Sequence, residues 1–216
     1  MTAHYEPDSY WEARGGEGYR AYVNSPEYAV YREEQARFFA ALVAELHPRT
    51  LLDFGCGTGK LFPLWQDVPE VHGYDRSRSQ LAVADGEARR LRPDRPYHLM
   101  CGIGSVRTRL PYDDSHFDLV VAAEVLLHVV PDEIGALVAD LHRICRGTLA
   151  IVTAAPFDDP APHNFNHDYD ALLRRPPWRV ASDHVRHAQR YIVARRSNPA
   201  TVTTPERESA HAVVTP

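Results

Sequence analysis

An α/β fold, an open and mostly parallel sheet with helices on both faces, is what this 216-residue sequence predicts. Three observations carry the prediction. Five apolar strand-like runs alternate with helix-like segments. The first run, "TLLDF", leads straight into "GCGTGK", where Gly55, Gly57 and Gly59 stand at alternate positions. Two further strand-like runs near the end, "WRVASDHVRHAQ" and "RYIVARR", are too close together for a helical crossover, so that pair reads as antiparallel.

Taken in order, "SYWEARGGEGYRAY" reads as a short helix, a break at its glycines and a second short helix. Ser25 and Pro26 suit the start of the next helix. Its buried face is Phe38, Phe39, Leu42, Val43 and Leu46, and Pro48 ends it. "TLLDF" is the first strand and "GKLFPLW" the start of a helix, since Pro63 is still near the first turn. "EVHGYD" is the second strand, followed by the helix "SRSQLAVADGEARRL", weakened at Gly86. "PYHLMCG" and "FDLVVAAEV" are the third and fourth strands. "DEIGALVADLHRIC" is an amphipathic helix with Ile134, Leu137, Val138, Leu141 and Ile144 on one side, ended by Gly147. "TLAIVTAA" is the fifth strand. A loop rich in Pro, Asp, His and Asn then leads to a short helix near 168–174 and the closing pair of strands. One domain is expected over 1–196, with 1–24 able to act as a lid, and a disordered tail over 197–216.

Composition narrows the classes. No apolar run approaches the ~20 residues that span a bilayer. The N-terminus lacks the basic and apolar regions of a secretory signal, so a cytoplasmic protein is expected. Cys56, Cys101 and Cys145 are odd in number and far apart, which suits reduced thiols rather than a disulfide framework or a zinc site. The net charge of −5 argues against a general nucleic-acid binder. Lys60 is the only lysine among 24 basic residues, an arginine bias read as genomic composition rather than mechanism.

In a doubly wound sheet ligands lie at the carboxyl ends of the strands, so the glycine turn marks the ligand site. A phosphate loop does not fit: its first glycine would fall on Phe54, and Lys60 is followed by Leu61 rather than Ser or Thr. A dinucleotide turn fits poorly, because the third glycine comes one residue early and a pyrophosphate would face Asp53. S-adenosylmethionine fits better. It has an ammonium for a strand-end acid such as Asp53, and a ribose for a second strand-end acid, Asp75. The glycines let the backbone approach it without Cβ clashes.

Four blocks in order resemble the class I S-adenosylmethionine-dependent methyltransferases. They are "LLDFGCGTGKL", "VHGYDRS", "LPYDDSHFDLVVAAEVLLHVVPDEI" and "LHRICRGTLAIVT", and the resemblance covers roughly residues 35–155. It implies a Rossmann-like, seven-stranded, mostly parallel sheet with an antiparallel last strand. It also implies that Asp53, Gly55, Cys56, Gly57 and Gly59 contact the methionine part and adenosine, that Asp75 holds the ribose, and that Arg76 flanks the adenine. Where family members carry an acidic pair after the third strand, this chain has Gly102 and Ile103, whose backbone would take over the adenine contact. Glu124 would lie near the sulfonium.

Methyl transfer is an in-line displacement at an activated sulfonium, so positioning is the main requirement. Where the acceptor must lose a proton, His128 in "EVLLHVVPD" is the candidate base; the alternative is a histidine that only packs beneath the cofactor. His163 and His167 in "HNFNHD" would line an acceptor pocket or sit on a surface loop, and no metal site is expected there. Tyr10, Trp11, Tyr19 and Tyr22 would form a lid with Arg14 or Arg20, or pack ordinarily on the sheet; Tyr19 and Tyr22 are the substrate candidates among them. Arg174, Arg175, Arg179, Arg186 and Arg190 would attract an anionic acceptor or form a solvated face. The expected acceptor is a small molecule. RNA or protein is the alternative acceptor, and a non-catalytic cofactor-binding or interaction protein the alternative of another class.

Overall fold

The computed structural model describes residues 5–95, 97–102, 109–158 and 161–197. The position of Ile103 and nearly all of the expected tail lie outside them. Seven strands form one sheet in the order β3-β2-β1-β4-β5-β7-β6: β1 Thr50–Phe54, β2 Glu70–Asp75, β3 His98–Cys101, β4 Phe117–Ala123, β5 Cys145–Ala154, β6 Trp178–Arg186 and β7 Gln189–Arg196. The first five run parallel. β7 is antiparallel to both of its neighbours, β5 and β6. Strand order reverses where β1 lies between β2 and β4, and the ligand crevice of a doubly wound sheet opens at that point.

Alternation along single strands builds two cores. Leu51, Leu119, Val121, Ala150 and Val152 face one side, with Phe39 and Leu42 of α3 (Ala29–Leu46) and Leu81, Ala84 and Ala88 of α4 (Arg78–Leu91), the third and fourth helices. Leu52, Phe54, Val120, Ala122, Leu149 and Ile151 face the other, under the fifth helix, α5 (Pro131–Ile144). A strand buried on both faces reads as a continuous apolar run, which is why β1, β4 and β5 stand out in the sequence. α5 starts with Pro131, Asp132 and Glu133 and ends with His142 and Arg143, the arrangement the helix dipole favours. Ser77 caps α4, its Oγ accepting from Gln80 N at 3.2 Å. The first two helices, α1 (Pro7–Arg14) and α2 (Glu17–Val23), lie on either side of the expected glycine break. α6 (Tyr169–Leu173) precedes the final pair of strands.

Four local expectations are corrected. After the glycine turn the chain makes turns and a 3-10 segment, Phe62–Trp65, not an α-helix. Ser25 makes no capping hydrogen bond; a 3-10 turn over Pro26–Tyr28 leads into α3. Gly86 does not interrupt α4. Gly147 does not end α5, which stops at Ile144, but lies inside β5. A Cβ at Gly147 would collide with the Asp118 carbonyl oxygen, so the glycine permits close strand approach where the β4–β5 register shifts.

Candidate active site

The main crevice opens at the carboxyl ends of β1, β2 and β4 and encloses about 1020 Å³ of space open to solvent. Gly55, Cys56, Gly57, Thr58 and Lys60 form one wall, Asp75 and Arg76 a second, and Glu124, Val125 and His128 a third, with Trp11 and Tyr19 over the mouth. The turn owes its shape to positive φ at Gly55 (73°), Gly57 (55°) and Gly59 (78°). At Gly55 any side chain would also run into Val125, so the residue is fixed twice, by backbone conformation and by space. The amides of Gly55 and Cys56 both donate to Tyr74 O, at 2.7 and 3.1 Å, which fastens the turn to the end of β2.

Three carboxylates lie at or beneath this edge, all pushed up by desolvation. Asp53 is fully buried under the turn, accepts from Trp65 Nε1 at 3.0 Å, and is raised to about 6. It does not line the crevice. Asp75 does, and its two oxygens accept from Gly57 N at 2.8 Å and Ser77 N at 2.9 Å; these bonds fix its plane while burial raises it. Glu124 has a left-handed backbone (φ 56°), accepts from Gln189 Nε2 at 3.0 Å, and is also raised by burial. Backbone strain of that kind persists where the surroundings over-determine a side chain's direction. Among them Lys60 is lowered by burial and held up by Glu124 and Asp53.

His128 ends a 3-10 turn after β4. Its Nδ1 donates to His163 O at 2.9 Å in the neutral ring, which leaves Nε2 as an acceptor. Burial drops its pKa to about 4, so the ring is neutral throughout the physiological range. Trp11 lies 4.6 Å from it, centroid to centroid, and His163 stacks at 5.4 Å. Tyr5 Oη donates to His128 O at 3.0 Å, and Glu12 accepts from Ser77 Oγ at 2.9 Å, so the N-terminal segment is fastened across the mouth. Arg76 meets Asp8 at 3.3 Å.

Of the residues singled out from the sequence, Gly55, Cys56, Gly57, Asp75, Arg76, Gly102, Glu124, His128 and Tyr19 line the crevice. Gly59 supports the turn from outside the lining. His163 stands behind His128, whereas His167 Nε2 donates to Leu126 O (3.1 Å) beside a separate, smaller hollow. Tyr22 points outward, half exposed, against the Tyr28 hydroxyl. Arg20 is engaged with Glu87 at 3.3 Å, and Arg14 lies over the Tyr10 ring at 4.4 Å. Lys60 and Gln189 were not singled out as site residues. Position next to the last glycine of the turn could have marked Lys60; nothing local marks Gln189, which β7 delivers.

Glycine turn, strand-end acid and reversal point define an α/β domain built around a nucleoside-bearing ligand. Residues 51–147 match the family described as "Methyltransferase domain". Over that span the chain is similar to methyltransferase domains. It is 32% identical over 131 residues to an uncharacterized methyltransferase of Schizosaccharomyces pombe, covering 57% of this chain and 46% of that one. It is 28% identical over 157 residues to a malonyl-[acyl-carrier protein] O-methyltransferase of Pseudescherichia vulneris, covering 71% and 58%. The chain thus spans about half the length of these curated relatives. Its fold is that of the magnesium protoporphyrin IX methyltransferase of Synechocystis PCC 6803, solved with bound SAM, at TM-score 0.70 and 20% identity, covering 91% of this chain and all of that one. Among the described residues no helix is long and apolar enough to cross a membrane.

Proposed function

We propose that this chain transfers a methyl group from S-adenosylmethionine to an oxygen or nitrogen atom of a small molecule. The reading rests above all on Asp75 and Glu124, two desolvated carboxylates facing one crevice beside the glycine turn. A cationic sulfonium nucleoside relieves such charge, whereas a pyrophosphate adds to it. In this reading Asp75 accepts the ribose hydroxyls and Arg76 flanks the adenine. Gly55, Cys56 and Gly57 run along the methionine part with Gly59 behind them, and Lys60 meets its carboxylate. Asp53, from beneath, favours the ammonium through the field rather than by contact. Gly102, whose amide is bound to Asp75 O at 2.9 Å, closes the adenine side.

The acceptor enters between Tyr19, Trp11 and His128. The sulfonium supplies the activated methyl, and the chain holds donor and acceptor in line and keeps water out. The acceptor's proton becomes acidic as the methyl arrives, and the unprotonated Nε2 of a neutral His128 takes it. α1 and α2 act as the lid of one domain spanning 1–196. A small-molecule acceptor is supported by the C-terminal arginines: Arg174, Arg186 and Arg190 are each paired with a carboxylate and offer little to a polyanion. An O-methyltransferase among the relatives supports oxygen as acceptor atom. The free thiols Cys56, Cys101 and Cys145 suit the cytoplasm.

The test is thermal unfolding with S-adenosylmethionine, its demethylated product and NAD, followed by mass spectrometry on a panel of hydroxyl and amine acceptors. Both sulfur nucleosides should raise the melting temperature and NAD should not. A shift with NAD alone sinks the reading. Methylation of RNA or protein but of no small molecule moves the acceptor class.

A further inference from the structure

At the opposite, amino edge of the sheet, Glu70 opens β2, His72 follows two residues later on the same face, and His116 immediately precedes β4. Both imidazoles turn Nε2 toward one oxygen: Glu70 Oε1 lies 2.8 Å from His72 and 3.3 Å from His116. The three donor atoms all lie within 4.8 Å of one another. We propose that Glu70, His72 and His116 form a site for a divalent first-row transition-metal ion, zinc above all, with water as fourth ligand.

Donor type and geometry support this. Two imidazoles and a carboxylate are a zinc-type ligand set, and a tetrahedral ion bound at about 2.0–2.1 Å needs donors roughly 3.3 Å apart. The present spacings therefore require only small side-chain rotations. The ring planes are already set: Phe117 lies edge-on to both, at 5.2 Å from His72 and 4.6 Å from His116, and Tyr112 lies edge-on to His72 at 5.6 Å. Solvent reaches the trio from one side, since the side chains of Glu70 and His116 are 41% and 31% exposed and that of His72 14%. The nearby Arg146 guanidinium is tied to Asp118 at 2.7 Å, which offsets its charge. Burial, with His98 and His116 adding to it, lowers His72, so its ring is available in the neutral form.

Binding exchanges two N–H···O contacts for two nitrogen–metal bonds. Each neutral imidazole then carries its proton on Nδ1 instead of Nε2, and no net proton is released. Since β1 lies between β2 and β4, an ion here ties the sheet across three strands, on the edge away from the crevice.

The full chain, without an affinity histidine tag and stripped with a chelator, is titrated with Co²⁺ by visible absorption and with Zn²⁺ by calorimetry. One equivalent should bind, with the intense bands of tetrahedral Co²⁺, and Zn²⁺ should displace it. His116→Gln and, independently, Glu70→Gln should weaken binding by about tenfold or more, as loss of even an outer-shell partner does. His163→Ala, in the other histidine cluster, should bind as the parent does. Equal circular dichroism melting curves establish that the variants are folded. Absence of the cobalt bands, or an equivalent retained in both His116→Gln and Glu70→Gln, overturns the site.

Discussion

The strand β2 begins with Glu70 and ends with Asp75, about 17 Å apart at strand rise, and the two acids live under opposite electrostatics. Glu70 is held below its usual range by the hydrogen bond from His72. Asp75 is pushed above it by burial, as are Asp53 and Glu124 around it. The amino edge therefore has its carboxylate partnered by the protein. The carboxyl edge keeps negative charge desolvated and under-compensated, the condition in which an incoming cation gains most. Two carboxylates on one strand are thus partnered by side chains at one end and left desolvated at the other.

The largest effect that would break this contrast is on turnover. His128→Ala should lower kcat by about 10²–10⁴-fold with little change in cofactor affinity, measured by steady-state kinetics beside calorimetry. The acid limb of the parent's kcat profile should lie near its pKa of about 4, below that of an ordinary histidine. Next, Asp75→Ala should weaken S-adenosylmethionine binding about 10–100-fold, from charge-assisted hydrogen bonds worth roughly 1.5–3 kcal/mol. Glu70→Gln should leave that affinity unchanged. If both acids matter equally for the cofactor, the contrast fails.

A smaller, pH-dependent effect sharpens the comparison. Folded Asp53 titrates at about 6 against 3.8 when free, so between those values the folded chain binds the proton that the unfolded chain has released. The ligand-free protein should lose on the order of 2–3 kcal/mol of stability as pH rises from about 4 to about 6. Asp53→Asn should flatten that slope in denaturant titrations. Cofactor affinity should rise over the same window as the carboxylate ionises. Smallest, Arg20→Ala should cost about 0.2–1 kcal/mol, since its pair with Glu87 is partly exposed.

Much of this carboxyl edge was legible in the sequence. β1 and β2 match their expected bounds: β1 is a nearly continuous buried run that stops at Gly55, and β2 alternates buried and half-buried residues up to Asp75. The turn was legible because three alternating glycines have few uses. What escaped was decided by space rather than pattern. Gly147 resembles a helix terminator in sequence, yet its meaning is the approach of the Asp118 carbonyl. The segment after Gly59 reads as the start of a helix with Pro63 near its first turn, but it folds as turns and a 3-10 segment. Gln189 and His116 reach their partners only through strand order, across 65 and 46 positions, and no local window contains such pairs.

Trp65 is wholly buried and its indole nitrogen is bonded to Asp53 just below the glycine turn. Any change in that acid's charge alters the electric field across a chromophore the protein already owns. Arrival of a positively charged guest overhead should therefore be readable in intrinsic emission, with no label attached and the other two indoles replaced by phenylalanine.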